Sequence, residues 1–130
     1  MEAVCLDSDV IVDLIRGSAP LAELLTEVSS GVCTTSITVA ELYYGLFKSG
    51  TFRDMDIVDK ISKDLLVIDF SVFDAKLAGS IMAEMEKRGK KLDFRDVAIA
   101  SICINRGFRL STRNKKHFTR LIEFGLELYD

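Results

Sequence analysis

Residues 3–17 read AVCLDSDVIVDLIRG, and the fold class follows from this stretch. Residues 3–6 are a short apolar run that reads as a buried strand. Asp7 ends the run. Residues 9–15 then read as a helix, which Gly17 stops. A strand that hands an aspartate to the start of a helix opens a chain of alternating strands and helices.

The alternation continues outward. Residues 19–28 place Leu21, Leu24, Leu25 and Val28 at helical spacing, and Ser29, Ser30 and Gly31 break that pattern. Residues 32–35 predict a second strand. Ser36 is expected to cap a helix running from Thr38 to about Phe47, and Gly50 marks a turn. Residues 53–63 read as a helix with Met55, Ile57, Val58 and Ile61 on its apolar side. Residues 65–70, hydrophobic apart from Asp69, are expected to form a third, buried parallel strand. Ser71 is expected to cap a long helix to about Arg88, and Gly89, Lys90 and Lys91 form a loop. Asp93 can cap the helix to Asn105, with Asp96 at the third position like a capping box with a shortened acid. Residues 108–111 predict a fourth strand, 115–121 a short helix and 126–129 a terminal strand.

This order predicts an α/β protein, a three-layer sandwich around a mostly parallel sheet of about five strands, as one domain over residues 1–130. Sites in such sheets lie at the carboxyl ends of the strands. Asp7, Glu41, Asp93, Asp96, Thr112 and Asn114 are all expected at that edge.

Composition narrows the chemistry. The 130 residues are 48% hydrophobic, so a sizeable core is available. No apolar run approaches the roughly 18 residues needed to span a bilayer. The opening MEAVCLDSD turns acidic too early for a signal peptide, and a soluble, cytoplasmic protein is expected. Cys5, Cys33 and Cys103 sit in apolar stretches and read as small buried hydrophobes in a reducing compartment. A Ser-His-Asp or Cys-His site would have to use the single histidine, His117, and nothing nearby prepares it. Net charge is −3, yet residues 87–120 hold 11 of the 17 basic residues against two acids, Asp93 and Asp96. A basic segment around isolated acids fits a metal site facing a polyanion; it also fits a solvated helix surface.

Each acid has a simpler role available: Asp7, Asp93 and Asp96 all suit helix caps. Glu41 is harder to explain that way, because it lies among Ile37, Val39, Ala40 and Leu42. A carboxylate on an apolar face is costly unless paired, and a cation is one way to pair it. Clustered carboxylates with open water positions suit Mg²⁺ or Mn²⁺ better than Zn²⁺. Such an ion can activate water and steady the charge on a phosphodiester.

Four segments carry a family resemblance. LDSDVIVDLIRG, SITVAELYYG, DVAIASICINRG and LSTRNKKHF resemble, in order and spacing, the motifs of PIN-domain nucleases. Size and compactness most resemble the VapC-type toxins of toxin–antitoxin pairs. The resemblance implies an endoribonuclease in which Asp7, Glu41 and Asp96 bind the metal. It implies that Thr112 and Asn114 support the site or the attacking water, and that Ser8 follows the first acid as a hydroxyl residue often does. Ser8, Lys90, Lys91, Arg95 and Arg113 are expected to meet RNA. A homodimer and a small antitoxin, lying in a groove near the site, are implied as partners; Tyr43, Tyr44 and Phe47 and the stretch 57–66 offer candidate surface. Two positions depart from the pattern. Asp9 stands where Asn is common. His117 stands where many relatives carry a fourth acid, and Asp93 either replaces that charge or serves only as a cap.

Two other readings remain at this stage. Asp7-Ser8-Asp9-Val10 after an apolar strand also matches the nucleophile motif of haloacid-dehalogenase-type phosphatases, although Glu41 is then unexplained. A non-catalytic interaction module that keeps the fold is the other, and DNA is not excluded as substrate.

Overall fold

Short apolar runs become strands here: Val4–Leu6 is buried on both faces, whereas the strand expected to be buried at 65–70 is Leu66–Ile68 at one edge of the sheet, only partly buried and with Leu66 exposed. The computed structural model describes residues 3–17, 31–50 and 52–129, the side chain of Arg53 excepted. Its strands are β1 (Val4–Leu6), β2 (Val32–Thr35), β3 (Leu66–Ile68), β4 (Arg109–Ser111) and β5 (Glu127–Leu128). They pair in the order β3-β2-β1-β4-β5, and every pairing is parallel. The described helices are α1 (Ser8–Ile15), α2 (Ser36–Ser49), α3 (Met55–Asp64), α4 (Val72–Lys87), α5 (Phe94–Arg106) and α6 (Lys115–Phe118). Two 3₁₀ stretches, Phe52–Asp54 and Thr119–Phe124, complete them.

Side-chain alternation along β1 divides the core. Val4 and Leu6 pack with Ile11, Leu42 and Val58 under α1, α2 and α3. Cys5 points the other way, joining Cys33, Leu110 and the inner faces of α4 and α5, where Ala78, Ile81, Val97 and Cys103 are buried. The result is the expected sandwich of helices, sheet and helices. All three cysteines are free and buried. No helix among the described residues is long and apolar enough to cross a membrane.

The other local differences from the sequence reading concern ends. Thr35, not Ser36, caps α2: it is extended (φ −116°, ψ 158°) and its side chain accepts from the Thr38 N–H at 3.0 Å. Ser36 is already helical, and its hydroxyl accepts from the Phe70 N–H at 3.2 Å. The capping box lies at Ser71 and Asp74. Asp93 instead accepts from the Arg95 N–H at 2.8 Å, one position short of Asp96. The helix expected at 53–63 starts as a 3₁₀ turn before α3. The helix expected at 19–28 lies outside the described residues.

Strand order positions the site. The chain leaves β1 for β2 and β3 on one side, then returns to β4 and β5 on the other. The carboxyl ends of β1 and β4 therefore flank the point where the winding reverses, and a crevice opens there.

Candidate active site

Asp7 stands at that crevice. Its main-chain N–H donates to Ser111 O at 2.9 Å, holding the end of β1 against β4. One carboxylate oxygen accepts from the Ser8 N–H at 2.8 Å, which makes Asp7 the cap of α1. The other accepts from the Thr112 hydroxyl at 2.7 Å. Thr112 in turn accepts from the Asn114 N–H at 3.0 Å, so the turn after β4 is built around this contact. Asp7 is buried, and burial pushes its carboxyl above the usual range, with Asp9 and Asp96 adding to the rise against the Thr112 and Ser8 hydrogen bonds.

Glu41 rises one turn into α2. Burial pushes its carboxyl up to about 7, with Asp7, Asp96 and Asp93 adding repulsion and Arg95 opposing it. One oxygen lies 3.7 Å from Arg95. The other is buried and has no hydrogen-bond partner among the described residues. Asp96, in the first turn of α5, is also raised, first by burial and then by Asp93. The imidazole Nδ1 of His117 lies 3.7 Å from it.

Folding thus brings Asp7, Glu41 and Asp96 into one electrostatic group from β1, α2 and α5. Among the described residues no three acidic, histidine or cysteine side chains are drawn close enough to hold an ion between them. Arg95 lies 3.7 Å from Glu41, and His117 lies 3.7 Å from Asp96. The donor chemistry still fits a hard divalent cation. All donors are oxygens, all three pKa values are raised, and Glu41 keeps an unpartnered buried oxygen.

The remaining expected residues divide. Asp93 is occupied, with both oxygens on Arg95 through the main-chain N–H, Nε and NH2. Those bonds hold its carboxyl low, as befits a cap. Asp9 accepts from the Arg113 N–H at 3.2 Å, so it is turned toward the main chain after β4. The Arg113 guanidinium pairs with Asp13, a contact sequence reading missed although Asp9 and Asp13 share a face of α1. Lys90 and Lys91 lie exposed in the turn between α4 and α5.

A groove of about 810 Å³ runs from Glu41 and Arg95 between α1 and α2 toward α3. Val12, Leu42, Leu46 and Val58 give it apolar walls. Tyr44 lines it too, and exposed Phe47 and Phe52 extend that apolar character outside it.

Glu41 makes a prediction of its own. Its folded pKa is raised, so its contribution to stability is present at low pH and lost as pH climbs through about 7. In EDTA, Glu41→Gln is expected to raise the melting temperature at pH 8 by about 2–4 °C and to change it little at pH 5. Equal shifts at both pH values in a thermal scan would contradict the assignment.

Comparison with known proteins adds independent findings. The PIN domain family matches residues 4–123. Ribonuclease VapC2 from Haemophilus influenzae is 32% identical over 126 residues, 94% of either chain. The tRNA(fMet)-specific endonuclease VapC of Salmonella typhimurium is 33% identical over 94 residues, 72% of this chain and 71% of that protein. The structure of DNA-bound VapBC from Salmonella typhimurium matches with a TM-score of 0.86 at 29% identity, covering 100% of this chain and 98% of that one.

Proposed function

The chain belongs to the PIN domain family, and we propose that it is an endoribonuclease, the toxin of a toxin–antitoxin pair, with its site at Asp7, Glu41 and Asp96. The observation that carries the site is Glu41: a half-buried carboxylate facing two other acids, with one inner oxygen unpartnered among the described residues. All 130 residues are read as one nuclease domain.

Asp7, Glu41 and Asp96 would hold Mg²⁺ or Mn²⁺. Such an ion supplies a more acidic water and positive charge for the phosphodiester. The chain's own residues prepare the rest. Thr112 and the Ser8 N–H fix both oxygens of Asp7, so its orientation is set before any ligand arrives. Asn114 supports Thr112 through its main chain. Arg95 balances Glu41 and Asp93 on the solvent side and is placed to exchange a carboxylate for an RNA phosphate.

RNA is the substrate class, and tRNA is the first RNA to try, since two relatives are named for it. The apolar groove beside Glu41 is the place for a segment of a small antitoxin, and the chain is read as a homodimer in the cytoplasm. The test is cleavage of a mixed RNA pool with Mg²⁺ or Mn²⁺ and with EDTA. Cleavage that requires the metal is expected. Cleavage that persists in EDTA would overturn the metal site; no cleavage under any metal would move the chain to a non-catalytic use of the fold.

A further inference from the structure

Cations around the site differ in one respect that the sequence hides: some are already neutralised. Arg95 is held by Asp93 and Glu41, and Arg113 by Asp13. Lys90, Lys91, Lys116 and Arg120 have no ion-pair partner among the described residues. Lys90, Lys91 and Lys116 are exposed and Arg120 is partly so.

These four share one flank. Lys90 and Lys91 belong to the turn between α4 and α5; Lys116 and Arg120 lie one helical turn apart on α6 and the 3₁₀ stretch after it. Arg88 ties the two segments together, donating to Glu123 at 2.7 Å and lying over the Phe124 ring. His117, between Lys116 and Arg120 in sequence, contacts Asp96 and so connects the flank to the acids. The opposite flank is the groove, lined by the acids Asp9, Asp13, Glu41 and Asp54 and by Arg16, Arg95 and Arg113, of which Arg95 and Arg113 are already paired. Among the described residues, a polyanion approaching there meets four carboxylates against a single unpaired cation, Arg16; over α6 it meets free cations.

We infer that Lys90, Lys91, Lys116 and Arg120 form the track along which the RNA backbone reaches Asp96, and that RNA does not run through the groove between α1 and α2. The inference rests on the ribonuclease reading above and adds the direction of approach and two further binding residues, Lys116 and Arg120. Recognition along such a track is by phosphate charge and independent of base sequence.

The test is binding of a fluorescent tRNA to the full chain in EDTA over a range of salt. Each phosphate contact contributes roughly 0.7–0.9 to the slope of log affinity against log salt. Lys116→Ala with Arg120→Ala is expected to lower that slope by about 1.5 and to weaken binding about tenfold at moderate salt. Lys60→Ala with Lys63→Ala, exposed cations on α3, should leave both unchanged. An unchanged slope in the first pair, or an equal loss in the second, overturns the track while leaving the ribonuclease reading intact. A parent protein that binds no RNA overturns both.

Discussion

Asp7→Asn is expected to lower RNA cleavage on the order of 1,000-fold while leaving the fold in place. The substitution changes one oxygen to an amide, so volume and the cap on α1 are nearly kept. Asn caps helices about as well as Asp, and its oxygen can still accept from the Ser8 N–H at the 2.8 Å now seen. What is lost is the charge. A 1,000-fold fall corresponds to about 4 kcal/mol of transition-state stabilisation, the scale at which single preorganised electrostatic groups act in closed sites. The amide also brings a donor to the position where Thr112 now donates at 2.7 Å, so the threonine hydroxyl must rotate or part from it. Relief of repulsion has the opposite sign. Glu41 is raised partly by Asp7, so neutralising Asp7 should let Glu41 ionise at lower pH and make the metal-free variant slightly more stable above pH 7. Lower activity with equal or higher stability, read from a cleavage assay and a thermal scan on one preparation, separates this outcome from simple unfolding. Undiminished cleavage would remove Asp7 from the site.

Much of this site was legible because an α/β sheet collects strand ends at one edge. Asp7 after residues 3–6 and Thr112 after residues 108–111 needed only the strand alternation to be predicted as neighbours, and they share a hydrogen bond across 105 positions. Glu41 was legible for a different reason: an ionisable group on the apolar side of a helix requires explanation wherever it falls. Pairing of the cations was not legible. Arg95 and Arg113 read as RNA contacts from their place in a basic segment, but side-chain reach lets them find Asp93, Glu41 and Asp13 first. Sequence spacing places Asp13 a hundred positions from Arg113, and only the return of β4 beside β1 makes them adjacent. Cap positions slipped by one residue at Ser36 because Thr35 and Ser36 have equal chemistry, and the end of a strand decided between them.

Another distant pair sets the second large prediction: Arg106→Ala is expected to cost about 3–5 kcal/mol of stability, more than Asp74→Asn does. Asp74 opens α4 and is fully buried. One oxygen accepts from Arg106 and from Asn105, each at 2.8 Å, and the other from Ser71. Burial alone would raise its carboxyl, but these bonds overcome that and hold it at about 2. The two deletions are unequal because the partners are unequally buried. Removing the acid leaves an arginine with 28% of its side chain exposed, which can turn to water. Removing the arginine leaves a carboxylate at 0% exposure with only neutral donors. The Arg106 guanidinium also donates to Ile102 O at 3.0 Å, near the end of α5, so α5 loses a tie as well. Since α5 carries Asp96, the loss should loosen the site before the whole fold opens. The sign with pH follows from the lowered carboxyl: its stabilisation is present above the unfolded value and disappears as pH falls toward 2. The gap between parent and Arg106→Ala should therefore be widest near pH 6 and narrow in acid, and Asp74→Asn added to Arg106→Ala should restore part of the loss. Urea titrations at pH 6 and pH 3 read both effects. A gap that stays constant with pH, or a double variant that is the simple sum of the singles, would mean that Asp74 and Arg106 act independently and that α4 and α5 are held together by apolar packing alone.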